Sequence, residues 1–126
     1  MKLFASKNIL HNMPYEAISV TVKQGTANTE VIDGRNILKA GALLVGDGGS
    51  IFDDRELLVA PTDGAAGEDG SASVDGILLN DVDVTDKDAV AAMVYRGTVR
   101  EELVNGGEVS DAVKDALHLI KFVNNQ

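Results

Sequence analysis

Residues 75–103, DGILLNDVDVTDKDAVAAMVYRGTVREEL, constrain the fold more than any other stretch of this sequence. Two apolar runs, 76–79 and 89–95, flank an acidic polar connection, and an Arg-Gly-Thr-Val-Arg step carries the second run past a bend at Gly97. Successive apolar positions need cover on both faces, which predicts two central strands. The same stretch holds no serine, histidine, cysteine or phosphate-binding glycine loop, so its order suits a surface rather than a reaction.

The remaining sequence predicts one β-rich domain. Its 126 residues suffice for one buried core and are too few for two domains. With three Phe, two Tyr and no Trp, that core must come from Val, Leu, Ile and Ala, while thirteen glycines against two prolines point to many tight turns. Alternation over 17–22 puts Ile18, Val20 and Val22 on one face of a half-buried strand. Asp33-Gly34 predicts a hairpin turn, and 37–45 (ILKAGALLV) predicts a strand, a turn at Ala40-Gly41 and a second strand. Residues 46–73 are loop-rich, with a modest strand or helical turn over 56–60. One helix is expected from Ser110, a good N-cap, with Ala112, Val113, Ala116, Leu117 and Ile120 on a single face, and a closing strand follows over 120–123. The expected fold class is mainly β with one short C-terminal α-helix, in a compact barrel or sandwich. Residues 17–126 form the domain and 1–16 an N-terminal arm. The arm scatters Leu3, Phe4, Ile9, Leu10 and Met13 without a period and closes at Pro14, beside Tyr15.

Charge and side-chain chemistry narrow the function. The net charge of −9 argues against nucleic acid as a direct partner, because neutralising phosphates needs a basic patch. Residues 1–45 carry five basic and three acidic side chains, 46–88 two basic and twelve acidic, and 89–126 four basic and five acidic. That distribution suits solubility, or a polar molecule whose acidic end faces solvent. No apolar run approaches the ~18–20 residues of a membrane span, and the first residues lack the sustained apolar run of a signal peptide. Without cysteine there is neither a disulfide framework nor a thiolate metal site. Asp81, Asp83, Asp86 and Asp88 invite a calcium reading, but an EF-hand loop starting at Asp81 would place Thr85 at position 5 and Asp86 where glycine is required. His11 and His118 have no ligand-spaced partner, no serine lies in a G-x-S-x-G elbow, and Gly46-Asp47-Gly48-Gly49 lacks the lysine and helix of a phosphate loop. Glu101 and Glu102 are adjacent, so on a strand they would face opposite ways. Neither an enzyme, a cofactor nor a bound metal is expected.

Two resemblances bear on function. Val22-Lys23-Gln24-Gly25 followed by Leu38-Lys39-Ala40-Gly41-Ala42-Leu43-Leu44 resembles a lipoyl or biotinyl carrier domain, although no lysine stands at an evident hairpin tip. A longer one joins Thr62-Asp63-Gly64-Ala65-Ala66, Val74-Asp75-Gly76-Ile77-Leu78-Leu79 and Arg96-Gly97-Thr98-Val99-Arg100-Glu101-Glu102-Leu103, followed by the short helix and Ile120-Lys121-Phe122-Val123. In order and spacing these resemble the head decoration proteins of tailed bacteriophages, the family typified by the lambda head decoration protein and including related head-fibre base domains. The likeness spans 62–123 and extends loosely to Leu38-Lys39-Ala40-Gly41.

The resemblance implies a β-tulip-like fold and homotrimers on the outer surface of the virion. The partner would be the major capsid protein, with no direct contact to nucleic acid or membrane. It implies cementing of the expanded head against the pressure of packaged DNA. By position alone, residues 1–16 correspond to the family's capsid-binding arm, which makes Phe4, Ile9, Leu10, Met13, Pro14 and Tyr15 the candidate contacts. The alternative is a capsid-displayed head-fibre or host/carbohydrate-adhesion module, against which the lack of tryptophan and scarcity of tyrosine count.

Overall fold

The computed structural model describes residues 9–10, 15–25, 29–65, 67 and 72–123, and these fold as mainly β with one short C-terminal helix. The strands are β1 (Glu16–Val22), β2 (Glu30–Ile32), β3 (Arg35–Leu38), β4 (Leu43–Gly46), β5 (Leu58–Thr62), β6 (Gly76–Leu78), β7 (Val82–Asp83), β8 (Ala89–Arg100) and β9 (Ile120–Val123). The helix α1 spans Asp111–Ala116, and two 3-10 turns, Glu101–Leu103 and Asn105–Gly107, precede it.

Five strands close on themselves. Pairing runs β1–β5–β4–β6–β8 and returns from β8 to β1, the connectivity of a small barrel, with only β1–β5 parallel. The long β8 supplies the seam. Its first half holds β1 on one edge, with Ala17 opposite Val94, and β6 on the other, with Ile77 opposite the same Val94. Beyond Tyr95 the register against β1 shifts, and residues 97–100 take β9 as a parallel neighbour. A separate three-stranded sheet, β2–β3–β7, lies beside the ring.

Two cores explain why the central strands are apolar on both faces. Leu44, Leu78 and Met93 join Val20, Val22, Leu38, Ile51, Val59 and Val84 in one cluster. Their chain neighbours Leu43, Ile77 and Val94 belong to another, completed by Val99, Val104, Val113, Leu117 and Ile120. Period-two alternation sends successive side chains to opposite faces, so each of these strands serves both clusters. Gly76 permits this tight crossing, because a Cβ there would stand 2.6 Å from both Met93 Cγ and the Val94 carbonyl oxygen.

Most local expectations hold. The Asp33-Gly34 turn has φ of 52° and 76°, as a type I′ hairpin requires. Ser110 caps α1 by accepting a hydrogen bond from the Val113 N–H, and β9 closes the chain as expected. Both strands expected in ILKAGALLV form around the turn at Ala40-Gly41, β3 in the small sheet and β4 in the ring. One detail differs: the helix, expected to carry Leu117 and Ile120 on its apolar face, ends at Ala116, where Leu117 leaves the helical conformation while its N–H makes the last helical bond to the Val113 carbonyl, and Ile120 begins β9.

Candidate interaction surface

The expected arm contacts part company in the structure. Phe4, Met13 and Pro14 lie outside the described residues. Ile9 and Leu10 are core residues, 0% and 8% exposed. Leu10 pairs antiparallel with Val99, and the Ile9 carbonyl accepts the Arg100 N–H at 2.7 Å, so this short segment extends the β1 edge of β8. Tyr15 is half-buried against the same cluster. Within this chain Ile9 and Leu10 are inward-facing supports rather than exposed anchors, a role fixed by β8 and invisible in an aperiodic segment. Replacing Ile9 with alanine should therefore cost about 2–5 kcal/mol, measured by denaturant unfolding.

The acidic connection between β6 and β8 is built into the fold. Asp81, whose side chain is 1% exposed, accepts the Lys39 ammonium at 2.9 Å and the Ala40 N–H at 2.7 Å. Asp83 and Asp86 grip Arg35 at 2.8 and 2.7 Å, and Asp88 accepts the Gln24 N–H. With Lys23 on Asp47, three of the cations before residue 46 are paired to carboxylates of the acidic middle, so those charges do not segregate to opposite ends of the molecule. The hydrogen bond from Arg35, helped by the Thr85 hydroxyl and N–H, lowers the Asp83 carboxyl from an ordinary 3.8 to about 2. A carboxyl whose folded value is depressed stabilises the fold above its unfolded value and loses that contribution as pH falls through the folded one. Stability should accordingly drop between about pH 4 and pH 2, and Arg35→Met should flatten that part of the profile. Unfolding titrations at stepped pH would check both.

These placements bear on the other candidates. Lys39 is held against Asp81 instead of standing at a hairpin tip. Glu101 pairs with Lys114, while Glu102 faces solvent. The Gly46-Asp47-Gly48-Gly49 turn hands its first N–H to Asp75. Among the described residues no cluster of His, Cys, Asp or Glu has the makings of a metal site, and no helix is long and apolar enough to cross a membrane.

The main concavity lies where β8 leaves β6 and takes up β9. This groove, of about 830 Å³, is walled by Val74, Leu117 and Ala116 and rimmed by Phe52, Tyr95 and Leu119. Phe52 meets Tyr95 edge-on, with ring centroids 5.5 Å apart, and both Phe52 and Leu119 are about half exposed, at 48% and 49%. The Tyr95 hydroxyl donates to Glu16 at 2.9 Å, which raises its pKa, while Arg96 and Arg55 act on it in the opposite sense. The exposed His118 is also on the wall. Sequence reasoning missed this groove because four segments remote in sequence assemble it, around 45–52, 72–75, 95 and 116–119; exposed Phe52 within the acidic loop half is its faint local trace. Its walls are largely apolar, its rim carries the rings of Phe52 and Tyr95, and the Asp75 carboxylate is among its lining residues, a composition that suits contact with another apolar surface. Comparison with known proteins found no matching family model, no matching curated protein and no matching solved structure.

Proposed function

We propose that this chain is a capsid decoration protein of a tailed bacteriophage: a non-enzymatic cement that binds the major capsid protein on the outside of the expanded head as a homotrimer. The observation that carries the reading is the order and spacing of the motifs at 62–66, 74–79 and 96–103, followed by the capped helix and the apolar closing strand. Their places in the fold support it. The first ends β5, the second is β6 with its flanks, and the third is the far end of β8 running into a 3-10 turn. These segments surround one core cluster, to which Val74, Ile77, Val99, Val113 and Ile120 all contribute.

Cementing follows from linkage. A protein that binds the expanded shell better than its compact precursor stabilises the expanded state by the difference in affinity. Ordering an arm against the shell costs conformational entropy, so three arms on one trimer gain where a single arm would bind weakly. Ile9 and Leu10 complete the chain's own core, so the arm contacts in this reading are Phe4, Met13 and Pro14.

Co-sedimentation with expanded and unexpanded heads tests the proposal. The intact chain should pellet with expanded heads and remain largely in the supernatant with unexpanded ones, and a chain lacking residues 1–8 should bind expanded heads at least tenfold more weakly while remaining folded. Equal binding to both heads would overturn the proposal. Removing 1–16 would be a poor substitute, because it also takes away two core side chains.

A further inference from the structure

Asn105 stands directly before Gly106, and the sequence contains that pairing once. An asparagine followed by glycine is chemically labile, because no Cβ shields the next backbone nitrogen from the side-chain amide carbon. Here the pair opens the second 3-10 turn, with positive φ at both residues, 51° and 67°. Gly106 is exposed, its N–H enters no hydrogen bond among the described residues, and a Cβ placed on it would meet nothing within 4 Å. The nucleophile is bare, but the Asn105 amide is held. Its Nδ2 donates to the Glu108 carbonyl at 2.9 Å and to the Asp63 carbonyl at 3.3 Å. Its backbone N–H donates to the Gly41 carbonyl at 2.9 Å, and its carbonyl accepts the Glu108 N–H at 3.2 Å. A left-handed backbone brings a residue's Cβ towards its own carbonyl oxygen and away from the following nitrogen. The closed turn therefore keeps Gly106 N off Asn105 Cγ.

We propose that Asn105 is a deamidation site of the native protein, gated by this turn. When the turn opens, the Gly106 nitrogen gives up its proton to base and attacks Asn105 Cγ. The new N–Cγ bond forms, the Cγ–Nδ2 bond breaks, and ammonia leaves behind a cyclic imide. Water then adds to one of the two imide carbonyls. Addition at Cγ leaves an aspartate in an ordinary main chain; addition at the backbone carbonyl carbon leaves isoaspartate, with the main chain routed through Cβ and Cγ. Neither product fits the closed turn. An ionised carboxyl only accepts hydrogen bonds, so it would face the Glu108 and Asp63 carbonyls where the amide now donates to them. Isoaspartate also lengthens the main chain by one carbon beside Val104, which is fully buried in the core. Conversion is one-way, and its rate follows how often the turn opens. The inference is independent of the proposed function and requires neither a trimer nor a capsid.

The experiment incubates the full chain in mildly alkaline buffer at body temperature, folded and in urea, and follows it by tryptic digestion and mass spectrometry. Cleavage after Arg100 and Lys114 isolates 101–114, in which Asn105 is the sole asparagine. That peptide should gain the mass of ammonia exchanged for water and split into two chromatographic species of equal mass, ahead of the peptides that carry the other asparagines. Conversion should run between about ten and a thousand times more slowly in the folded chain than in urea, the ratio of closed to open turn, and faster as pH rises in both. Gly106→Ala, which shields the nitrogen, should slow conversion in urea. Asn105→Asp, one of the two products, should unfold at lower urea than the parent chain. That deficit should shrink in acid, where a protonated carboxyl again has a hydrogen to donate. A folded chain left unconverted beyond that range would remove the site, and equal rates folded and in urea would remove the gate. A Gly106→Ala chain that converts as fast as the parent in urea would remove the assigned nucleophile. An Asn105→Asp chain as stable as the parent would show that the product fits the closed turn, and would overturn the one-way step.

Discussion

Replacing Gly41 with alanine is expected to destabilise the protein by about 2–6 kcal/mol, the sum of a left-handed backbone strain and an overpacked contact. Gly41 turns the chain from β3 to β4 with φ of 95°, a conformation that side chains rarely adopt. Its N–H donates to the Leu78 carbonyl at 2.8 Å, and its carbonyl accepts the Asn105 N–H at 2.9 Å. A Cβ would run into the backbone carbonyl of Leu103, with Ile9 on the far side. Backbone on a 3-10 turn has little room to retreat, and any retreat would disturb the core that Ile9 and Leu10 complete. Domains of this size are stable by roughly 5–15 kcal/mol, so the loss would be a large part of the total. Urea unfolding followed by circular dichroism measures it; a shift below 1 kcal/mol would show that the turn is not packed as described.

The second large effect is expected at Asp75. This carboxylate, 8% exposed, is the buried acidic side chain that organises the 46–51 turn. It accepts the Gly46 N–H at 2.9 Å, the Ile51 N–H at 2.8 Å and the Ser50 hydroxyl at 3.0 Å. Alanine would leave two buried backbone donors without acceptors, at about 1–3 kcal/mol each. It would also release Ile51, a fully buried member of the core, and loosen the loop that carries Phe52 to the groove rim. Asparagine makes the informative control. Its single carbonyl oxygen can take both backbone N–H groups, as one carboxylate oxygen now does, while its amide faces the Ser50 hydroxyl, which also accepts. Asp75→Asn should therefore cost less than half of what Asp75→Ala does, whereas equal losses would mean that charge, not the pattern of donors, holds the turn.

Features set by neighbours along the chain were legible in the sequence. The Asp33-Gly34 hairpin, the Ser110 cap, the alternation of β1 and the two-faced runs of β6 and β8 depend on local backbone preference and period, which a linear reading captures. Features set by distant partners were not. Arg35 and Asp83 stand 48 positions apart, so the acidic connection looked like solvent-facing charge until β3 and β7 brought them together. Ile9 and Leu10 show no period because two residues on the end of β8 are too few to make one. The closing pairs of the ring, β1 with β5 and β8 with β1, leave no trace in either strand alone. The groove was illegible for the same reason, since Phe52, Tyr95 and Leu119 come from a loop, a register shift and the turn after α1. By contrast, the resemblance that carries the proposed function lies in segments contiguous along the chain, which is why it could be stated from sequence.

The central claim, that the protein holds the expanded head together, is tested most directly by calorimetry of expanded heads with and without the purified chain. A ligand selective for the intact shell adds about 2.7 kcal/mol per site at a hundred times its dissociation constant, so many sites acting together should raise the disruption temperature by several degrees and saturate with occupancy. An unchanged disruption temperature at saturating protein would contradict the claim.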